Sequence, residues 1–294
     1  MIDRACISLT ERCNLRCRYC HFRDKRNDGG TFGKEEALAV VENIRRYIED
    51  NALGSFKIGI VGAGEPLLEL ETMLSMLERV ESYGLDAFRL YTITNGTLAS
   101  EEALERLLPY RNLLNVCFSL DGPREVHNAG RSSFDAVMRG VENYRKVYGA
   151  SPPINATANL QSFMRKEETA AFFKENELTE VTFSKLVACE DESLRISDGQ
   201  FAAFMDYIRS AGIASRQFRG DECYDCTMYG RLCGVGRTNV FITPEGVYPC
   251  GRFYKDGGYL LGAFDEPLSE IERRVNSIEP VEDGRCYYEE AVGR

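Results

Sequence analysis

The chain has 294 residues, 44% of them hydrophobic and 28% charged, enough to bury one large core or one core with a small appended domain. A formal net charge of −10, with no Lys/Arg block, argues against a nucleic-acid backbone as main partner and suits a cationic substrate. No apolar run approaches the roughly 18 to 20 residues of a membrane helix and no signal-like segment opens the sequence, so a membrane partner is excluded and the cytoplasm is the expected compartment.

From residue 4 onward, β-rich runs alternate with amphipathic helical stretches. Strands are predicted at 4–10, 56–61, 87–93, 114–120, 154–160 and 180–187, and helices at 34–50, 69–83, 100–109, 132–147, 165–176 and 198–212. Six βα units in series predict an α/β fold with a parallel sheet and helices outside, either a partial (β/α)6 TIM-like barrel or an open sheet. Functional groups are expected at the C-terminal strand ends, and the polar clusters fall there: "TERCNLRCRYC", "GAGEP", "TNGT" and "SLDG" follow strands one to four. The pattern breaks after about residue 213. Residues 1–213 therefore read as the barrel, and 214–294 as a small cysteine-bearing domain with a hairpin in "NVFITPEGVYPC" and a short helix near 267–277.

Eleven cysteines in a reducing compartment point to metal or redox chemistry rather than disulfides. Cys13, Cys17 and Cys20 share one loop, and Cys223, Cys226, Cys233, Cys250 and Cys286 form a second group, whereas Cys6, Cys117 and Cys189 read as small buried hydrophobes. Three thiolates on one loop suit zinc or an iron–sulfur cluster. Zinc would take His21 as fourth ligand, but adjacent residues rarely both reach one tetrahedral ion. A [4Fe–4S] cluster held by three cysteines instead leaves one iron open. In the second loop Gly62 and Gly64 allow close backbone approach, Glu65 offers an acceptor for an ammonium, and Pro66 fits the start of a helix. For Asn95, Ser119 and Asp121, ligand contact competes with ordinary Asn-Gly and Asp-Gly turn chemistry, and Tyr19 either flanks a ligand or packs on its own loop. Arg195, Arg216, Arg219, Arg237 and Arg252 read as surface cations.

Cys13-x3-Cys17-x2-Cys20, with Tyr19 before the last cysteine, resembles the signature of the radical S-adenosylmethionine (SAM) superfamily. "AGEP" (63–66), "TNGT" (94–97) and "SLDG" (119–122) resemble that family's SAM-binding elements in the same order, with Ala63 where glycine is usual. The resemblance implies that Cys13, Cys17 and Cys20 hold a [4Fe–4S] cluster, and that SAM is contacted by Tyr19, Gly62, Gly64, Glu65, Pro66, Asn95, Ser119 and Asp121. It also implies cleavage of SAM to a 5′-deoxyadenosyl radical that abstracts hydrogen.

Residues 233–254 resemble the first half of a SPASM domain, in the shortened "twitch" form. That resemblance implies a second, auxiliary [4Fe–4S] cluster on Cys226, Cys233, Cys250 and Cys286, with Cys223 as an alternative first ligand. The thiol left over, Cys223 in the first instance, is a candidate hydrogen donor of the kind found in related epimerases. Gly251 stands where sulfatase-maturing relatives carry an aspartate base, which disfavours formylglycine formation. The expected substrate is a peptide or protein, modified by oxidation, cross-linking or epimerisation; a sugar or aminocyclitol is the alternative. Flavodoxin or ferredoxin is the expected reductant. A separate leader-binding protein is expected too, since the sequence opens at strand one.

Overall fold

A computed structural model describes residues 1–25, 30–187, 189, 191–219 and 223–293, the side chains of Arg216 and Arg219 lying outside that description. Six parallel strands follow one another in chain and in space: β1 (Arg4–Ile7), β2 (Phe56–Ile60), β3 (Phe88–Thr94), β4 (Leu114–Ser119), β5 (Ile154–Ala158) and β6 (Val181–Lys185). The connecting helices are α1 (Lys34–Asp50), α2 (Leu70–Ser82), α3 (Glu101–Leu107), α4 (Arg124–Gly130), α5 (Phe134–Tyr148), α6 (Leu160–Met164), α7 (Lys166–Glu175) and α8 (Asp198–Ser210). The predicted strands and helices are all present, with ends shifted by a few residues. Among the connecting helices, the short α4 and α6 were not predicted. The Asn159 side chain accepts from the N–H groups of Gln161 and Ser162, ending β5 and starting α6, so the strand expected to run to residue 160 stops at Ala158.

Past residue 213 come the two-residue strands β7 (Tyr224–Asp225) and β8 (Leu232–Cys233), then β9 (Asn239–Thr243), β10 (Gly246–Tyr248), α9 (Leu268–Val275) and α10 (Tyr287–Ala291). The expected hairpin is β9–β10, and it joins the main sheet. β9 runs parallel to β1, Arg4 opposite Asn239 through Ile7 opposite Ile242, in the sheet order β10-β9-β1-β2-β3-β4-β5-β6. The edge of β1, with its row of backbone donors and acceptors, is thus covered by the C-terminal segment. With β10 and β6 as its edges, the sheet stays open.

The side chains alternate as strand geometry requires. Phe56, Ile58 and Ile60 face the helices and pack in one core with Val41, Ile44, Met73 and Leu77. The other face is polar, carrying Cys6, Lys57, Tyr91, Asn115, Cys117 and Ser119. Gly59 lies on this inner face because the Tyr91 ring crosses it; a Cβ there would stand 2.4 Å from that ring. A polar inner face is unusual for a parallel sheet, whose two faces are ordinarily apolar, and here it leaves space for a ligand. Among the described residues no helix is long and apolar enough to cross a membrane.

Candidate active site

The loop leaving β1 carries Cys13, Cys17 and Cys20, and neighbouring strand ends hold it in place. The Asn95 amide after β3 donates to Asn14 Oδ1 at 2.8 Å, and Asn14 in turn donates to Thr97 Oγ1 at 2.7 Å. Cys20 N–H closes a turn on the Cys17 carbonyl at 3.1 Å. Cys17 is buried while Cys13 and Cys20 are partly exposed. Burial raises the Cys17 thiol above its usual range, opposed by Arg131 and reinforced by the neighbouring Cys20 and Cys13.

"GAGEP" packs directly on this loop. A Cβ at Gly62 would stand 2.3 Å from the Ser8 Cβ, and one at Gly64 2.3 Å from the Arg12 carbonyl oxygen, so both glycines are required by the approach of one loop to the other. Ala63 adopts no positive φ, and its N–H donates to Ser8 Oγ at 2.9 Å, so alanine is accommodated where the family has glycine. Glu65 is buried, and its carboxylate accepts from Thr94 Oγ1 at 2.6 Å, Asn95 N–H at 2.8 Å and Leu67 N–H at 3.0 Å. It ties the β2 and β3 ends together instead of standing free for an ammonium. Pro66 opens the short 3-10 turn Pro66–Glu69 that leads into α2.

After β4, Asp121 is fully enclosed and collects the Tyr19 hydroxyl, the Arg131 guanidinium at 3.1 Å and the Thr157 N–H at 2.8 Å. The Tyr19 ring lies under Arg131, whose guanidinium carbon is 5.3 Å from the ring centroid, and against Gly130, where a Cβ would stand 2.2 Å from it. Tyr19 and Asp121 therefore secure the cysteine loop to β4 and β5. Ser119 is buried on the same strand face as Cys117, and its hydroxyl makes no hydrogen bond among the described residues, which leaves a polar group for a ligand.

The segment that carries Cys250 packs against the residues that follow Cys20. His21 Nε2 donates to the Arg252 carbonyl at 2.9 Å, Lys25 Nζ reaches the carbonyls of Arg252 and Tyr254 at 2.9 and 3.0 Å, and Phe22 stacks on Phe241 at 5.8 Å. Glu11, buried at the end of β1, receives the Tyr254 hydroxyl and Lys255. Cys226, Cys233 and Cys250 are held above their usual range by burial first, Cys250 at about 11, and then by each other: Cys250 acts on Cys226, and Cys286 on Cys233 and Cys250. Cys223 stands apart, its sulfur accepting from Arg231 at 2.6 Å beside Arg4. Arg4 starts β1, about 13 Å of strand below the cysteine loop, which argues against Cys223 as hydrogen donor at that loop.

Sequence reading missed Ser8, Glu11, Asn14 and Arg131, and it misjudged Arg237 and Arg252 as surface cations. Arg252 donates to the Val187 carbonyl at 3.1 Å, and Arg237 lies 4.3 Å over the Tyr224 ring, both partly buried; Arg195 is exposed. Among the described residues no three of His, Cys, Asp and Glu gather as one metal ion would need. Each thiolate of a four-iron cluster binds a different iron, and soft thiols are the donor type that such a cluster takes.

Residues 7–151, from β1 through the loop before β5, match the Radical SAM superfamily. Residues 7–151 form a radical SAM domain, on the open sheet of a partial barrel. It is 24% identical to the cysteine-type anaerobic sulfatase-maturating enzyme of Clostridium perfringens, over 88% of this chain and 76% of that protein. Its fold is similar to anSMEcpe with bound AdoMet and Cp18Cys peptide, at TM-score 0.73 and 21% identity over 91% of this chain and 79% of that one. It is similar also to Streptococcus suis SuiB bound to precursor peptide SuiA, at TM-score 0.66 and 18% identity over 92% of this chain and 64% of that one.

Proposed function

We propose that this chain is a radical SAM enzyme that abstracts a hydrogen atom from a peptide or protein, with oxidation, cross-linking or epimerisation as the outcome. The observation that carries the reading is the three-thiol loop, latched to the ends of β3 and β4 by Asn95 and Asp121 and clamped by Glu11, His21, Phe22 and Lys25 to the 241–254 segment that carries Cys250. Relatives that carry bound peptides share the fold, which supports a peptide substrate.

In this reading Cys13, Cys17 and Cys20 hold one [4Fe–4S] cluster and Cys226, Cys233, Cys250 and Cys286 an auxiliary one. Cys13, Cys17 and Cys20 would hold the group that supplies one-electron reduction of SAM, the chemistry from which the hydrogen-abstracting radical would come. The chain's own residues position: Asn14 and Tyr19 fix the thiol loop, Glu65 fixes the glycine loop where SAM binds, and Ser119 offers a hydroxyl from the inner face. Residue 251 cannot serve as an aspartate base. A Cβ there would stand 3.2 Å from both the Phe22 and the Phe241 ring, so the two rings pack closely on this glycine and formylglycine formation by that route is disfavoured. A reducing cytoplasm, a flavodoxin- or ferredoxin-type reductant and a separate leader-binding protein complete the reading.

The test is anaerobic incubation of the iron-loaded chain with SAM, dithionite and peptides encoded beside its gene, read by mass spectrometry. Expected are 5′-deoxyadenosine and a peptide that has lost a hydrogen pair or gained solvent deuterium, both abolished by Cys17→Ala. Wild-type protein that carries iron yet never cleaves SAM contradicts the proposal.

A further inference from the structure

A cavity of about 320 Å³ opens at the N-terminal ends of the strands, opposite the cysteine loop, within the range of small-ligand sites. It rises along the inner face as far as Ile93 and Cys117. Ser119, the hydroxyl at the C-terminal end of β4 with no hydrogen bond among the described residues, lies two residues above Cys117, about 7 Å of strand. Whatever sits in the cavity therefore reaches toward the site where SAM binds in the proposed function, on which this inference rests.

In a chain of net charge −10 the lining is cationic: Lys57, Arg89, Arg111 and Arg231 against Glu180 and Asp225. Asp225 is already committed to Arg4 at 2.6 Å. Arg89 spends its guanidinium on the carbonyls of Asp86 and Phe88, and among the described residues neither Lys57, Arg89 nor Arg111 has a carboxylate within 4 Å. Lys57 is the most telling. It is half-buried on β2, its ammonium 4.9 Å from the Tyr91 ring centroid, and burial first, then Arg4 and Arg231, lower its proton affinity against the pull of Asp225. A half-buried cation without an ion partner, among other cations, is stabilised by an incoming anion.

We propose that this lower mouth binds a carboxylate of the substrate, the side chain of an acidic residue close in sequence to the residue that is modified. The local charge thus overrides the expectation, drawn from net charge alone, that a cationic substrate suits the chain.

The cluster-loaded full chain is titrated, by fluorescence anisotropy and without reductant, with labelled peptides of one length that differ only in carrying Glu, Gln or phosphoserine, with inorganic phosphate as competitor. The Glu peptide is expected to bind about tenfold more tightly than the Gln peptide, as one charge-assisted contact provides. That gap is expected to close in Lys57→Met and persist in Lys57→Arg. Arg111→Gln, at the exposed rim, narrows the gap and serves where Lys57→Met fails to fold by circular dichroism. Equal binding of the Glu and Gln peptides overturns the proposal, as does selective binding of phosphoserine or phosphate, which reassigns the mouth to phosphate. SAM-dependent product on peptides regardless of charge keeps the proposed function and removes this inference. Tight binding of the Glu peptide with no product on any peptide does the reverse.

Discussion

Asp121 and Glu65 are the two buried carboxylates on which the cysteine loop and the glycine loop depend, and each has a calculable cost of removal. Asp121→Ala leaves Arg131 as an uncompensated charge with 15% side-chain exposure, so we expect a loss of about 3–5 kcal/mol in urea unfolding. Tyr19→Phe keeps that ion pair and loses one hydroxyl, for about 1–2 kcal/mol. Glu65→Gln turns an amide donor toward one of three donors and should cost about 1–3 kcal/mol, with iron retention falling alongside stability. At this scale the contiguous motifs were legible: the cysteine spacing and "GAGEP" lie where sequence reading placed them. Their braces were not, because Asn14 and Asn95 are 81 residues apart and Glu11 and Tyr254 are 243 apart, and no local pattern encodes either pairing.

The outer helices were legible from their period, and α1 begins and ends where its apolar stripe predicts. What its pattern does not reveal is how Glu42 gathers Arg45, Arg46 and the Tyr83 hydroxyl, contacts that lower its carboxyl to about 2, the Arg45 hydrogen bond leading and burial opposing. Because the folded value lies below the unfolded one, this contribution is fully present above about pH 4.5 and is lost as pH falls toward 2. The cluster is partly solvent-exposed, so Glu42→Gln should cost no more than about 1 kcal/mol at neutral pH and flatten the stability profile between those values, measured by urea titration across pH. The β9–β10 hairpin was legible as a hairpin, with Gly246, expected in its turn, instead opening β10 at φ 137° opposite Thr243. Its pairing with β1 was hidden, since only the exposed edge of an already folded sheet specifies that partner.

Across the whole molecule, the parallel sheet and the C-terminal thiols act as one unit through the contacts between residues 11–25 and 241–288. Phe22→Ala removes a ring shared by Phe241 and Tyr254 and loosens the packing around Cys250. We expect a loss of about 3–5 kcal/mol and release of auxiliary iron before SAM-site iron on chelation. The most direct test of two four-iron clusters is iron and acid-labile sulfide per chain after anaerobic reconstitution, on the wild type and on the Cys13→Ala, Cys17→Ala, Cys20→Ala triple variant. About eight irons falling to about four is the expected result. About four falling to none would contradict the auxiliary cluster, and negligible iron in a folded wild type would contradict the radical reading as a whole.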